Sequence, residues 1–236
     1  MDAVKGSGNE NVRRPDETPD KTAGKRPGKR PDKRAERSRR TREKIVGAAR
    51  DLFLAQGYGA TSLQEVADRA GVAVQTVYFV FRNKRALFKD VVDTSIAGDA
   101  EPVATMDREW FRSACAEPTA AGQLRAHVRG ARDVLGRVAP IMPLIAAAAA
   151  TDPEIAAQWP DGPDPRYTVQ YAAAKALTSK PDARPDIDPA RAADLLYGML
   201  SPELYLIFVR DRGWSPEAWE EWVCAALTAQ LCTDRE

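Results

Sequence analysis

The chain has 236 residues, 44% of them hydrophobic, enough for one large or two small units with a substantial core. One histidine and three cysteines leave a His-based zinc or di-iron site short of ligands, and no Ser-His or Cys-His nucleophile is spaced to form. The net charge of +1 conceals a polarity: residues 1–42 hold 14 Lys or Arg against 7 Asp or Glu, and the remainder holds 21 against 27, which suits a protein that meets nucleic acid at one end.

Residues 1–37 carry no hydrophobic periodicity and are rich in Pro, Gly, Lys and Arg. They are expected to form a disordered basic arm. Its repeated GKRPGKRPDKR can follow a phosphate backbone or a narrow minor groove, or serve only as a solubilising tail. A helix is predicted from residue 38 or 41 to 56. Ile45, Ala48, Ala49, Leu52 and Phe53 supply its apolar stripe, and Gly57 and Gly59 end it. Arg40 and Arg42 near its start are candidates for phosphate contact, with a solvated charged end as the alternative.

The stretch SLQEVADRAGVAVQTVYFVF, residues 62–81, reads as two short helices joined by a tight turn. Thr61 and Ser62 are both N-cap candidates, because Gln64 and Glu65 complete a capping box in either register. Leu63, Val66, Ala67 and Ala70 share one face, and Gly71 follows where positive φ is wanted. The second helix, about 73–80, turns Val77 and Phe81 inward. Val74, Gln75, Thr76, Tyr78 and Phe79 are left mostly outside. That face makes a poor solvated surface and a poor core, but it suits base edges, thymine methyls and phosphates, as in a helix-turn-helix. Asn83 is the predicted cap of a further helix that buries Leu87, Phe88, Val91 and Val92 and runs to about 96. Residues 98–102 form the expected seam.

The run AGVAVQTVYFVFRNKRALF resembles the DNA-binding signature of the TetR family of transcriptional regulators, most specifically at Gly71, Val72, Thr76, Tyr78, Phe81, Asn83, Lys84 and Leu87. The resemblance implies that Thr76 and Tyr78 touch backbone and bases. It also implies that Lys84 grips a phosphate and that Thr61 or Ser62 caps the preceding helix beside one. Two departures stand out. Ala73 replaces a common serine cap, and Val80 replaces a common histidine or other polar residue, so any base reading there is by apolar contact.

From residue 105 onward the pattern predicts helices at about 106–116, 119–137, 140–150, 153–159, 164–179, 189–200, 202–212 and 216–232. Pro140 and Pro143 kink the second of these into the third. Asp188-Pro189, Ser201-Pro202-Glu203 and Ser215-Pro216-Glu217 repeat one start signal: a cap, then proline at the first helical position. A small-molecule pocket is implied mainly by the resemblance. Its candidate lining is Trp110, Phe111, His127, Ile141, Met142 and Ile145, then Trp159, Tyr167, Gln170 and Tyr171, any of which can equally be core. The last helices carry more apolar residues than one buried face needs. Leu196, Leu200, Leu204, Tyr205 and Phe208, with Trp219, Trp222, Val223 and Leu227, are the candidate dimer interface, with an intrachain core as the alternative.

No apolar run is read as long enough to cross a bilayer. Arg13-Arg14 lacks a following apolar segment, and Cys115, Cys224 and Cys232 have no metal spacing. The expectation is therefore an all-α cytoplasmic protein with three parts: an arm (1–37), a three-helix helix-turn-helix domain (38–98), and a helical effector-binding and dimerisation bundle (99–236). It is expected to be a non-enzymatic homodimeric repressor with no cofactor and no membrane partner. It would hold a near-palindromic duplex operator until an unidentified small molecule releases it. The alternative is an architectural DNA-coating protein without an effector.

Overall fold

The computed structural model describes residues 33–98, 103–158 and 164–233, and all twelve of its α-helical segments follow the sequence pattern closely. The first helix, α1 (Lys33–Ala60), starts earlier than expected, so residues 33–37 are helical rather than part of a disordered arm. The rest of the arm lies outside the described residues. Gly57, at φ 85°, interrupts α1 where a glycine was expected to end it. Next come α2 (Leu63–Ala70), α3 (Val74–Phe81) and α4 (Lys84–Ala97).

These four helices close over one apolar core, in which Ile45, Phe53, Val66, Val77, Leu87 and Phe88 are all fully buried. Phe53, Tyr58 and Phe88 form a ring cluster with centroids 4.9–5.7 Å apart. A buried aromatic of this kind contributes roughly 1.5–3 kcal/mol. Arg42 pairs with Asp90 and lies 4.8 Å over the Phe81 ring, bracing α1, α3 and α4 together.

The remaining helices are α5 (Glu109–Ala116), α6 (Ala120–Val138), α7 (Met142–Thr151), α8 (Pro153–Ala156), α9 (Pro165–Thr178), α10 (Pro189–Met199), α11 (Pro202–Leu206) and α12 (Pro216–Leu231). A 3-10 turn at Ala139–Ile141 links α6 to α7 where the prolines predict a kink. One π turn, Ile207–Asp211, follows α11 where a single helix was expected. The expected cap-then-proline signals are realised: the side chains of Asp188, Ser201 and Ser215 accept from Arg191, Leu204 and Ala218 N–H. Helix α8 ends at Ala156, short of the expected 159.

A second core joins α5, α6, α9, α10, α11 and α12. Here six of the nine interface candidates are corrected. Leu196, Leu200, Tyr205, Trp219, Val223 and Leu227 are at most 5% exposed and pack inside the protomer. Their surplus of apolar surface is absorbed because α12 lies against both α6 and α10, so each helix has two covered faces rather than one. By length and composition, residues 120–151 and 189–211 would pass as membrane spans, against the sequence reading. Each is broken near a proline and contributes residues to the core.

The segment after α9 ties three elements together. Asp182 accepts from the N–H groups of Ala120 and Ala121 at 2.5 and 3.2 Å, capping α6 from outside, and Arg184 N–H donates to Leu231 O at 2.9 Å.

Helix α7 faces two ways. Ile141, just before it, and Ala148 sit in the first core, as does Ile155 of α8. Arg85 at the start of α4 reaches across to Asp152 and Glu154, each at 2.7 Å. The four-helix head is thus packed against the α7–α8 turn rather than hanging from α4 alone.

Candidate nucleic-acid interface and internal cavity

The presentation of α3 follows from local chemistry. Ser62, in extended backbone, accepts from Glu65 N–H, and the Glu65 carboxylate accepts from Ser62 N–H at 2.7 Å, closing a capping box. These bonds from Ser62 hold the Glu65 carboxyl below its ordinary range. At the other end Gly71 takes φ 68°, ψ 39°. Its N–H reaches Asp68 O, and Val72 N–H reaches Ala67 O at 3.0 Å, the Schellman pattern that only a left-handed residue closes cheaply. The chain then re-enters a helix at Val74 with no side-chain cap from Ala73.

Helix α3 is anchored by Val77 (fully buried) and Phe81, and its other side is open. Gln75 is exposed, Val74 and Thr76 are half-buried, Tyr78 is 54% exposed, and Phe79 is 88% exposed. An aromatic side chain this bare on a rigid helix is out of place in a solvated surface, whereas it suits a groove that covers it.

The exit from α3 is strained. Arg82 has φ 62°, ψ −49°, with Asn83 N–H bonded back to Phe81 O at 2.6 Å. This three-residue turn is uncommon for a residue with a Cβ and costs about 1–3 kcal/mol. Arg82→Gly is expected to raise stability by about 1 kcal/mol in denaturant unfolding. An unchanged or lowered midpoint would contradict the strain.

Three DNA-contact candidates are engaged inside the chain. Thr61 is 1% exposed and donates to Gly57 O at 2.8 Å, so Ser62, not Thr61, is the outward cap. Arg42 braces Asp90 and Phe81. Lys84 donates to Gly59 O and Thr61 O at 3.2 and 2.6 Å and sits 4.4 Å from the Tyr58 ring centre, which commits two of its three N–H donors within the head. Burial pushes its amine below the ordinary lysine range. Arg40 points out and, among the described residues, pairs with Glu36 one turn away at 2.5 Å.

Behind the head lies a cavity of about 560 Å³, walled by α4, α6, α7 and α9 and by residues at the α10–α11 junction. Of the pocket candidates, Trp110, His127, Met142, Ile145 and Gln170 line it. Other candidates do not. Phe111 is buried against the second core, Ile141 belongs to the first, Tyr167 bonds Asp194 at 3.3 Å, and Tyr171 is 43% exposed. Trp159 lies outside the described residues. Sequence reading missed Val92 and Ile96 of α4, and Asp164, Arg166 and Tyr197. The Asp-Pro start signal at 164–165 was visible. That Arg166 stacks on Tyr197, 3.6 Å from its ring centre and thirty-one positions on, was not.

His127 is 2% exposed, and its Nε2 is 2.9 Å from Gln170 Oε1. Burial pushes the imidazole below its ordinary value of 6.5, with the Gln170 bond acting in the opposite direction. The folded chain therefore refuses a proton that the unfolded chain accepts. Stability is expected to fall as pH drops below about 6.5, by up to about 1.4 kcal/mol per unit for this group. Thermal unfolding of His127→Phe between pH 5 and 7 should show a flatter pH slope than the parent; equal slopes would contradict it.

Residues 45–91 match the family model described as bacterial regulatory proteins, tetR family. The chain is 31% identical over 100 residues to the HTH-type transcriptional regulator TcmR of Streptomyces glaucescens, covering 42% of this chain and 39% of TcmR. It is 33% identical over 67 residues to the HTH-type transcriptional repressor BdcR of Escherichia coli K12, covering 28% of this chain and 34% of BdcR. The chain thus aligns with well under half the length of either. A crystal structure from Mesorhizobium loti MAFF303099, assigned to the TetR family of transcriptional regulators, superposes with a TM-score of 0.64 at 26% identity, over 84% of this chain and 99% of that one.

Proposed function

We propose that this chain, whose helix-turn-helix stretch matches the TetR-family model within an all-helical fold, is a homodimeric repressor that a small molecule releases from a near-palindromic operator. Residues 38–98 form the reading head in this view, and residues 99–236 hold the effector and the partner copy. The observation that carries it is the bare outer face of α3, with Gln75, Tyr78 and Phe79 exposed on a helix whose inner face is fully anchored. Two such helices related by a dimer axis would enter successive major grooves about 34–36 Å apart.

Release follows if the filled and empty cavity favour different arrangements of the head. Helix α4 supports that coupling, since Val92 and Ile96 face the cavity while Phe88 lies in the head's core. Of the interface candidates, Leu204, Phe208 and Trp222 are still available to a second copy. Phe208 packs between Trp214 and Trp222 at 4.6 and 4.7 Å, and the neighbouring Ile207 is 48% exposed. Phe208→Asp is expected to yield folded monomers in sedimentation velocity; a dimer of unchanged affinity would refute this interface.

Selection from a random-sequence duplex pool at physiological salt tests the whole reading. A repressor enriches a two-fold site and binds it far more tightly than a scrambled duplex. Equal binding to both would favour an architectural DNA-coating role.

A further inference from the structure

The cavity differs from an ordinary apolar pocket at one point, and that point specifies the chemistry of its ligand. Val92, Val134, Val138, Met142, Ile145 and Val169 make most of the wall hydrocarbon. Two of the charged groups in the wall, Arg166 and Asp164, are held by each other and by Tyr197. Arg166 stacks on Tyr197 and donates to its carbonyl at 3.2 Å. Asp164 accepts from Tyr197 Oη at 2.5 Å and from Arg166 N–H at 2.8 Å. Deeper in, Gln170 Oε1 is an acceptor, so the hydrogen bond to it holds the imidazole proton on Nε2 of His127. Nδ1 is then a bare lone pair, and it is buried with no hydrogen-bond partner among the described residues. A buried acceptor left unmade carries its full desolvation cost, which a ligand can recover by supplying the donor. Such orphaned polar groups are uncommon in folded proteins.

Taking the cavity as the effector site, we propose that the effector is an uncharged, largely apolar molecule that donates one hydroxyl or N–H hydrogen bond to His127 Nδ1. A carboxylate has no complement here. Nδ1 offers a lone pair rather than a proton, Arg166 is already engaged, and Asp164 and Glu203 in the same wall repel an anion. An ether of the same shape fills the hydrocarbon wall but leaves the lone pair unmet. Trp110 shapes this end of the site. It lies 5.9 Å from His127 and so close over Gly130 that a Cβ there would fall 2.2 Å from the indole, so the glycine is what lets the ring lie against α6 beside His127.

Three matched probes test the assignment by calorimetric titration of the full chain: 4-pentylphenol, 4-pentylanisole and 4-pentylbenzoate. The phenol is expected to bind at least about tenfold more tightly than either other probe, the ratio that one satisfied buried hydrogen bond supplies. In His127→Phe the preference of phenol over anisole should collapse to within about twofold while anisole binding persists. Equal binding of phenol and anisole by the unsubstituted protein overturns the proposal without recourse to any variant. So does preference for the benzoate, failure of the phenol to bind up to its solubility limit, or a preference that survives in His127→Phe. Operator binding measured with and without the phenol separates this from the reading it rests on. Selective phenol binding with no effect on DNA leaves the cavity chemistry standing and removes the repressor switch.

Discussion

Tyr78→Ala combined with Gln75→Ala is expected to cut affinity for the selected operator by on the order of a hundredfold or more, while the unfolding midpoint barely moves. Each side chain that reads a base edge is worth about 1–3 kcal/mol of discrimination, and both residues lie on the outer face of α3. Exposed substitutions of this kind usually shift stability by less than about 0.5 kcal/mol. The anchoring side gives the contrast. Val77 is fully buried, so Val77→Ala should lower stability and weaken every DNA sequence alike through the loss of a positioned α3. A gel shift against operator and scrambled duplex, read beside a denaturant melt, distinguishes the two. Unchanged operator affinity in the folded double variant would remove α3 from the interface.

The second large effect lies at Trp219. It is fully buried in the second core, edge-on to Tyr205 with ring centres 5.0 Å apart. Trp219→Ala is expected to cost about 3–5 kcal/mol in denaturant unfolding, as large aromatic truncations in a core do. Its indole Nε1 is buried without a hydrogen-bond partner among the described residues, so Trp219→Phe forfeits packing but no hydrogen bond and should cost far less. An interface residue behaves in the opposite way. Truncation there separates the subunits at low concentration and leaves each protomer folded. If Trp219→Ala instead gives stable monomers, the burial of this tryptophan within one chain is not what its packing implies.

The head was legible for a specific reason. Its determinants are local: a capping box spanning Ser62 and Glu65, a left-handed Gly71, and a helix only eight residues long whose inner positions recur at helical spacing. The resemblance to a known signature shares Gly71 with these determinants and rests otherwise on Val72, Thr76, Tyr78, Phe81, Asn83, Lys84 and Leu87. The body was legible as helices, because a side-chain cap followed by proline marks the starts of α8, α9, α10, α11 and α12, but not as surfaces. Leu196, Trp219 and Leu227 look identical in sequence whether they face a partner subunit or a neighbouring helix of the same chain.

The sequence alone therefore determined which segments are helical, where the chain turns, and which short helix carries an outward aromatic face. Those features depend on contacts within a few residues, and capping, glycine conformation and apolar periodicity all act over that distance. Only the tertiary structure decided that Thr61, Arg42 and Lys84 are spent on bonds within the head, and that Arg85 clasps Asp152 and Glu154. It also decided that His127 meets Gln170 forty-three positions away, beside a cavity partly walled by α4. A side chain's partner is set by how helices cross, and crossing depends on the summed fit of many small contacts that no local window contains.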